Sequence, residues 1–447
     1  MLTIGIDSST QGTKAVVYDV DAAKVVASAA VNYGRDLPEF GSPDGFLPNA
    51  DTRVRRANPE MWVRGLELAL SRLRDSGAPM GEIAAIGGDA QQHATVCLDA
   101  DGNFSRRESP IWMDSSTTAE VAALDARFGK SLATRTGSPA IERFVAAQMM
   151  KFAREEPEAY ARTARVHLLS SFLTSVLAGE DAPVDIGDGA GMNLLNLQTL
   201  AWDEEICAFV AEGLIGKLPR VHLPGVTPLR LAERFAAYGL RPGIPVAPFT
   251  GDNPASLVGC GAEKPGTAVV SLGTSDTFFA AMDEFRTDPD GYGHVFGNPV
   301  GGFMSLACFK NGSLAREKVR ALVGCDYAFF DEGAFEAAGV FAGRAFPYFE
   351  EEITPKHPGT GIEADFDWKA ASDAEKVVSI VRGQVLNMYE RTRWIGSFDT
   401  IRVTGGASRS KGIRDTIAAV FGAKVETLDV PDSAALGGAI LASRQIA

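Results

Sequence analysis

Two stretches of this 447-residue chain share one pattern, an apolar strand that runs into a turn of small hydroxylated residues and out into a second strand. The first is Ile4, Gly5 and Ile6, then Asp7-Ser8-Ser9-Thr10-Gln11-Gly12-Thr13-Lys14, then Ala15 to Tyr18; the second runs from Ala268 through Gly273-Thr274-Ser275 to Phe279. Strand, tight turn, strand is the signature of a hairpin with functional groups at its tip. Superposing Ile6 on Leu272 puts Gly273 where Asp7 stands, so the turns share shape and only the first carries a carboxylate there.

The repeat implies two lobes, and length agrees, since a chain of this size exceeds what one core serves. We place the boundary in the Pro-rich approach Gly243 to Pro248, giving lobes 1–244 and 245–447. Strands precede helices throughout, an α/β arrangement. The clearest helix starts at Asn58 with Pro59 at its first position, carries Trp62, Leu66, Leu70 and Leu73 on one face, and ends before Gly77. Ile83 to Gly88 and Thr95 to Leu98 read as strands around the polar loop Asp89-Ala90-Gln91-Gln92-His93, and Thr117 to Glu120 as a capping box. Ile401 to Thr404, Gly405-Gly406-Ala407-Ser408 and the apolar periodicity of Ile413, Ile417 and Val420 read as strand, glycine turn, helix, with a short small-residue helix near Ala434 to Ile440.

Composition narrows the partners. The formal net charge is −14 and no basic stripe exists, so a nucleic-acid partner is not expected, and an anionic ligand needs local backbone donors or a metal ion. Five scattered cysteines form no C-x-x-C pair, which fits a reducing, cytoplasmic setting. The N-terminus has no basic n-region and no apolar stretch is long enough to span a membrane, so neither export nor a membrane partner is expected.

No Walker A pattern or protein-kinase signature occurs, so a nucleotide site here is of another kind. Asp7 offers a carboxylate for a divalent cation; Thr10, Gln11, Gly12 and Thr13 offer hydroxyls and close backbone for phosphate. Asp252-Asn253 follow an apolar strand and precede a helix. Asp252 reads equally as a helix N-cap or as the carboxylate that accepts a proton from an alcohol during phosphoryl transfer. Taken alone, His93 reads as a structural or surface histidine and Arg143 as a solvated charge.

These segments together resemble the FGGY carbohydrate kinases. The carriers include Gln91-Gln92-His93, Trp112-Met113-Asp114, Glu142-Arg143-Phe144, Asp188-Gly189-Ala190-Gly191, Phe249 to Ser256, Ser271 to Thr277 and Phe309-Lys310-Asn311-Gly312-Ser313. The resemblance implies an actin-like fold of two ribonuclease-H-like lobes with sugar and ATP in the cleft between them. It also implies phosphorylation of a five-carbon ketose, D-xylulose, by a monomer or homodimer. Carried over position by position, Asp252 is the general base, His93, Arg143, Asp252 and Asn253 hold the sugar, and Asp7 and Asp252 serve Mg2+. Thr10 to Thr13 and Gly273, Thr274 and Ser275 cradle phosphates, and Gly405, Gly406 and Ser408 line the adenosine pocket. Alternatives with the same fold are D-ribulose, L-ribulose or glycerol kinases; alternatives of another class are an actin- or Hsp70-like ATPase and a non-catalytic sugar sensor.

Overall fold

The computed structural model describes residues 1–225, 228–430 and 432–446, and the chain divides into two compact units. The first comprises Met1–Gly261, Phe296–Phe303 and Asp432–Ala447; the second comprises Ala262–Val295 and Met304–Pro431. The expected division at 244/245 therefore falls inside the first unit, which also takes back the end of the chain.

The first unit is built on β1 (Leu2–Ser8), β2 (Gly12–Asp19), β3 (Lys24–Asn32) and β4 (Ile83–Ala90). β1 pairs antiparallel with β2, β2 with β3, and β1 lies parallel to β4, with the short strands Pro245–Val246 and Leu229–Arg230 beyond it. The helix Pro59–Asp75 forms as its sequence dictates. Asn58 caps it by accepting from the Glu60 amide, Pro59 opens it, and Met61, Trp62, Leu66, Ala69, Leu70 and Leu73 are buried in the core. The capping box expected at Thr117 does not form. The helix does begin at Thr118, but the Thr117 hydroxyl donates to the Glu142 carbonyl at 2.6 Å, and buried Glu120 is held by Arg154 instead.

The second unit repeats the core arrangement. β5 (Thr267–Leu272) pairs antiparallel with β6 (Asp276–Met282) and parallel with β8 (Thr400–Thr404), in the order β7 (Phe303–Phe309), β6, β5, β8, β9 (Lys424–Thr427). Each unit thus has a hairpin with a parallel strand beside its first member, which is the expected internal duplication of an α/β core. Phe278 of β6 stacks on Phe421 at 5.7 Å, anchoring the helix Lys411–Phe421.

What returns the end of the chain to the first unit is close packing through small residues. The helix Ser433–Ser443 lies against β1, β4 and the helix Asp252–Gly259, and the Thr3 hydroxyl donates to the Ala439 carbonyl at 2.9 Å. A Cβ at Gly5 would stand 1.8 Å from the Ala435 carbonyl oxygen, and one at Gly437 would stand 1.9 Å from that of Ala255. Backbone meets backbone here, so no side chain can give way. Gly437→Ala should lower the thermal midpoint through a cost of about 1–3 kcal/mol, while Gly216→Ala, whose Cβ would meet nothing within 4 Å, should stay within about 0.5 kcal/mol; differential scanning fluorimetry of the two variants checks this.

Candidate active site

In the first unit, chain geometry gathers acids at the strand ends. Asp7 is the last residue but one of β1, and Asp89, expected in a loop, is instead part of β4 and lies directly opposite Asp7 in the parallel pairing. On the far side of β4 the strand Thr250–Gly251 pairs Thr250 with Asp89, so the chain delivers Asp252 beside both. Asp252 opens the helix Asp252–Gly259, with Gly251 in the cap position, so the N-cap reading does not hold. Its Oδ1 accepts from the Asn253 amide at 2.8 Å and from Asn253 Nδ2 at 3.0 Å. Asn253 Nδ2 also donates to Gln92 Oε1 at 2.9 Å, tying the helix start to the loop after β4.

Burial dominates the electrostatics. It pushes the Asp7 carboxyl up to about 6 and Asp252, with added repulsion from Asp7, up to about 7. Asp89 is driven well above the usual carboxylate range by burial and then by the charges of Asp7 and Asp252, and Asp188, which accepts from Ser170, is driven the same way by burial. Lys14 partly offsets this at Asp7 and is itself paired with Asp432.

The hairpin tip is held by short local bonds. The Ser9 amide donates to the Gly12 carbonyl at 2.9 Å, the Gln11 carbonyl accepts from the Tyr33 amide, and the Thr10 hydroxyl accepts from Trp112 Nε1 at 2.8 Å. Gly12 is required there because a Cβ would lie 2.1 Å from the Val31 carbonyl oxygen. Thr13 is buried, its hydroxyl bonded to Tyr33 at 2.8 Å, so it supports the turn from behind instead of facing a ligand.

His93 and Arg143 come together through a residue that sequence reasoning left unassigned. The Phe144 ring stacks on His93 with centroids 4.4 Å apart, and the Arg143 guanidinium lies 5.9 Å from the same ring. His93 is buried, adopts φ of 69°, and donates from Nδ1 to the Gly191 carbonyl at 2.9 Å, which sets its tautomer. A Cβ at Gly191 would press 2.8 Å from the ring. Arg143 is partly buried.

The second unit contributes a separate set. Thr274 and Ser275 are exposed at the β5–β6 turn, and Gly273 accepts from the Ser313 amide at 3.1 Å. A cavity of about 480 Å³ brings Gly273, Thr274 and Gly406 together with Arg316, Tyr327 and Phe330. Gly405, Gly406 and Ser408 line a neighbouring cavity of about 540 Å³ with Arg409 and Asp429; Ser275 lines neither. Gly405 has φ of 88°, and a Cβ would stand 2.5 Å from the Leu272 carbonyl oxygen, so glycine alone fits. Arg316 had no place in the sequence reading. It is buried and paired with Asp276 through both guanidinium nitrogens, at 2.6 and 2.9 Å, and thereby braces the end of the turn.

A duplicated α/β core, acids gathered in one half and a glycine-walled cavity in the other define a phosphoryl-transferring enzyme of the actin-like class. The chain belongs to the FGGY family of carbohydrate kinases, matching its N-terminal domain over residues 2–259 and its C-terminal domain over 268–446. It is 36% identical to the xylulose kinase of Rattus norvegicus over 479 aligned residues, covering 99% of this chain and 88% of that one. It is 32% identical to xylulose kinase 2 of Arabidopsis thaliana, covering 99% and 87%. Among solved structures, xylulose kinase from Rhodospirillum rubrum superposes with a TM-score of 0.87 at 21% identity, covering 100% of this chain and 90% of that one. Plasmodium falciparum glycerol kinase with ADP superposes at 0.85 and 16%, covering 100% and 89%. The last two share the two-lobed fold. No helix of the described residues is long and apolar enough to cross a membrane.

Burial of Asp252 has a stability consequence whose sign is fixed. The unfolded carboxyl ionises near pH 4 and the folded one at about 7, so the folded state binds the extra proton and stability falls as pH rises between these values. Asp252→Asn removes that loss. In EDTA its thermal midpoint should match the wild type near pH 4 and exceed it at pH 8, by the equivalent of roughly 1–3 kcal/mol; parallel melts across this range measure the difference.

Proposed function

We propose that this carbohydrate kinase transfers the γ-phosphoryl group of ATP to the terminal hydroxyl of D-xylulose, giving D-xylulose 5-phosphate. One observation carries the chemistry. Asp252, with a pKa lifted to about 7, opens a helix beside an amide pair, Asn253 and Gln92. A base poised near the working pH is what proton removal from an alcohol needs. Both bonds from Asn253 fall on Oδ1, so Oδ2 is the oxygen that takes the hydroxyl proton. Asn253, His93 and Arg143 hold the sugar, the last two fixed by their shared Phe144 face. Likeness to the rat and plant xylulose kinases, over nearly the full length, favours a ketopentose over glycerol.

Asp7 fits a divalent cation, because its Oδ1 is buried and has no hydrogen-bond partner. Bound there, with Asp252 beside it as the base, Mg2+ would supply neutralisation of the charge on the phosphoryl oxygens. The hydroxyl of Thr10 and the backbone of Gln11 and Gly12, with Gly273, Thr274 and Ser275, serve the phosphates. Gly405, Gly406 and Ser408 serve the adenosine side, where Tyr327 and Phe330 give aromatic surface. The enzyme works in the cytoplasm, where ATP and Mg2+ are abundant, as a monomer or homodimer.

ADP release over a panel of D-xylulose, D-ribulose, L-ribulose and glycerol tests the substrate. D-xylulose should give the highest kcat/KM, and ADP release should rise several-fold over the sugar-free rate. A sugar-independent rate would instead mark an ATPase.

Arg143→Lys tests the pocket. A lysine reproduces two fixed guanidinium donors poorly, and one lost charge-assisted bond is worth roughly 1.5–3 kcal/mol. The kcat/KM for D-xylulose should fall by about one to two decades while ATP affinity holds, both read by initial-rate kinetics; an unchanged kcat/KM removes Arg143 from the pocket.

A further inference from the structure

Asp89 is the buried acid to which the reaction as described gives no task. Its side chain is fully buried, and neither of its carboxylate oxygens meets a hydrogen-bond donor. Its register fixes what lies around it. Asp7 stands opposite on β1, and Thr250, two residues before Asp252, stands opposite on the other side. The side chain within hydrogen-bonding reach is the Asp7 carboxylate, whose own Oδ1 also lacks a donor, and the charges of Asp252 and Asp188 act on Asp89 as well. Packing alone does not explain an acid here, because an amide or a small apolar residue would fill the same space without four carboxylates repelling one another.

We propose that Asp89 is a second carboxylate ligand, with Asp7, of the divalent cation that accompanies the nucleotide. The inference rests on the kinase reading above and extends it to a residue of this chain. Among the described residues, no three His, Cys, Asp or Glu side chains converge closely enough to hold an ion. A hard cation held by the two carboxylates of Asp7 and Asp89 would be completed by water and phosphoryl oxygens, the usual mode for Mg2+. Asp89 and Asp7 sit on adjacent parallel strands whose backbones are locked in one sheet, so the pair presents its oxygens without a loop having to order. The rival explanation is that Asp89 stays protonated and merely donates to Asp7.

Asp89→Asn separates the two, for it keeps the side chain's size and offers Asp7 a permanent donor while removing a charged ligand. Mn2+ serves as the probe, its free concentration read by electron paramagnetic resonance with the full-length protein in saturating ADP. The Mn2+ affinity should fall at least about tenfold in Asp89→Asn, and the Mg2+ concentration for half-maximal activity should rise. Equal Mn2+ affinity in the variant and the wild type, or no Mn2+ binding by the wild type beyond that of ADP alone, overturns the proposal. Asp89→Cys provides a second arm: a thiolate favours softer ions, so the variant's preference for Cd2+ over Mn2+ should increase, and an unchanged preference counts against ligation. ADP release with D-xylulose is read on the same samples. Mn2+ binding that depends on Asp89 without ketose turnover would sink the kinase reading and leave the cation site, whereas turnover with Mn2+ binding indifferent to Asp89 would do the reverse.

Discussion

Crowding of carboxyl groups at the ends of β1 and β4 is the constraint on which the first unit depends. Asp7, Asp89 and Asp252 are brought together by strand register, and Asp188 closes in from the segment after Val184–Asp185. Leaving acids of like charge in a space poor in water is costly, and proteins retain such arrangements where the energy is recovered on binding a proton, a cation or a substrate. The raised pKa values of Asp7 and Asp252 express that cost as a readiness to exchange a proton near neutrality.

The surrounding fold makes the crowding possible by stiffening the backbone from behind. Gly5 and Gly437 let the helix Ser433–Ser443 press directly against β1 and the Asp252 helix, so the strand ends cannot spread to relieve repulsion. Gly191 and Gly251 allow similarly close packing beside the loop after β4, where their missing Cβ atoms admit the His93 ring and the Gln92 side chain. The second unit solves a different problem with the same topology. Its first strand runs into Gly273 in place of an acid, and Asp276, which opens the second strand, is neutralised by Arg316. One duplicated core thus supplies a carboxylate-rich strand end in the first unit and a glycine-walled cavity in the second.

Local signals carried much of this. Asn58-Pro59 with its apolar stripe, the two hairpins, and the glycine turn after Thr404 were all visible because their determinants lie within a few residues. Features that arise from tertiary pairing were not visible. Thr117 spends its hydroxyl on a carbonyl 25 residues away, which no capping rule anticipates. The return of the last helix to the first unit depends on backbone contacts between Ala255 and Gly437, so a boundary drawn from composition misplaced both that helix and Asp252. His93 and Arg143 gained meaning from the resemblance, and the Phe144 ring that joins them is a spatial fact. Asp89 could have been found: it stands next to the end of an apolar strand just as Asp7 does, and treating Asp89-Ala90-Gln91-Gln92-His93 as one polar loop hid the repetition.

The central claim is that Asp252 acts on the transferred proton and not on holding the ligands in place. Titration calorimetry of Asp252→Asn with D-xylulose and with ATP in Mg2+, set beside single-turnover phosphorylation by the same preparation, tests it most directly. Binding of both ligands within a few-fold of the wild type, with phosphorylation slowed by about 10²–10⁴-fold, is the expected result. Phosphorylation at a wild-type rate once both ligands are bound, or loss of D-xylulose binding large enough to account for the whole defect, would contradict the role of Asp252 as general base.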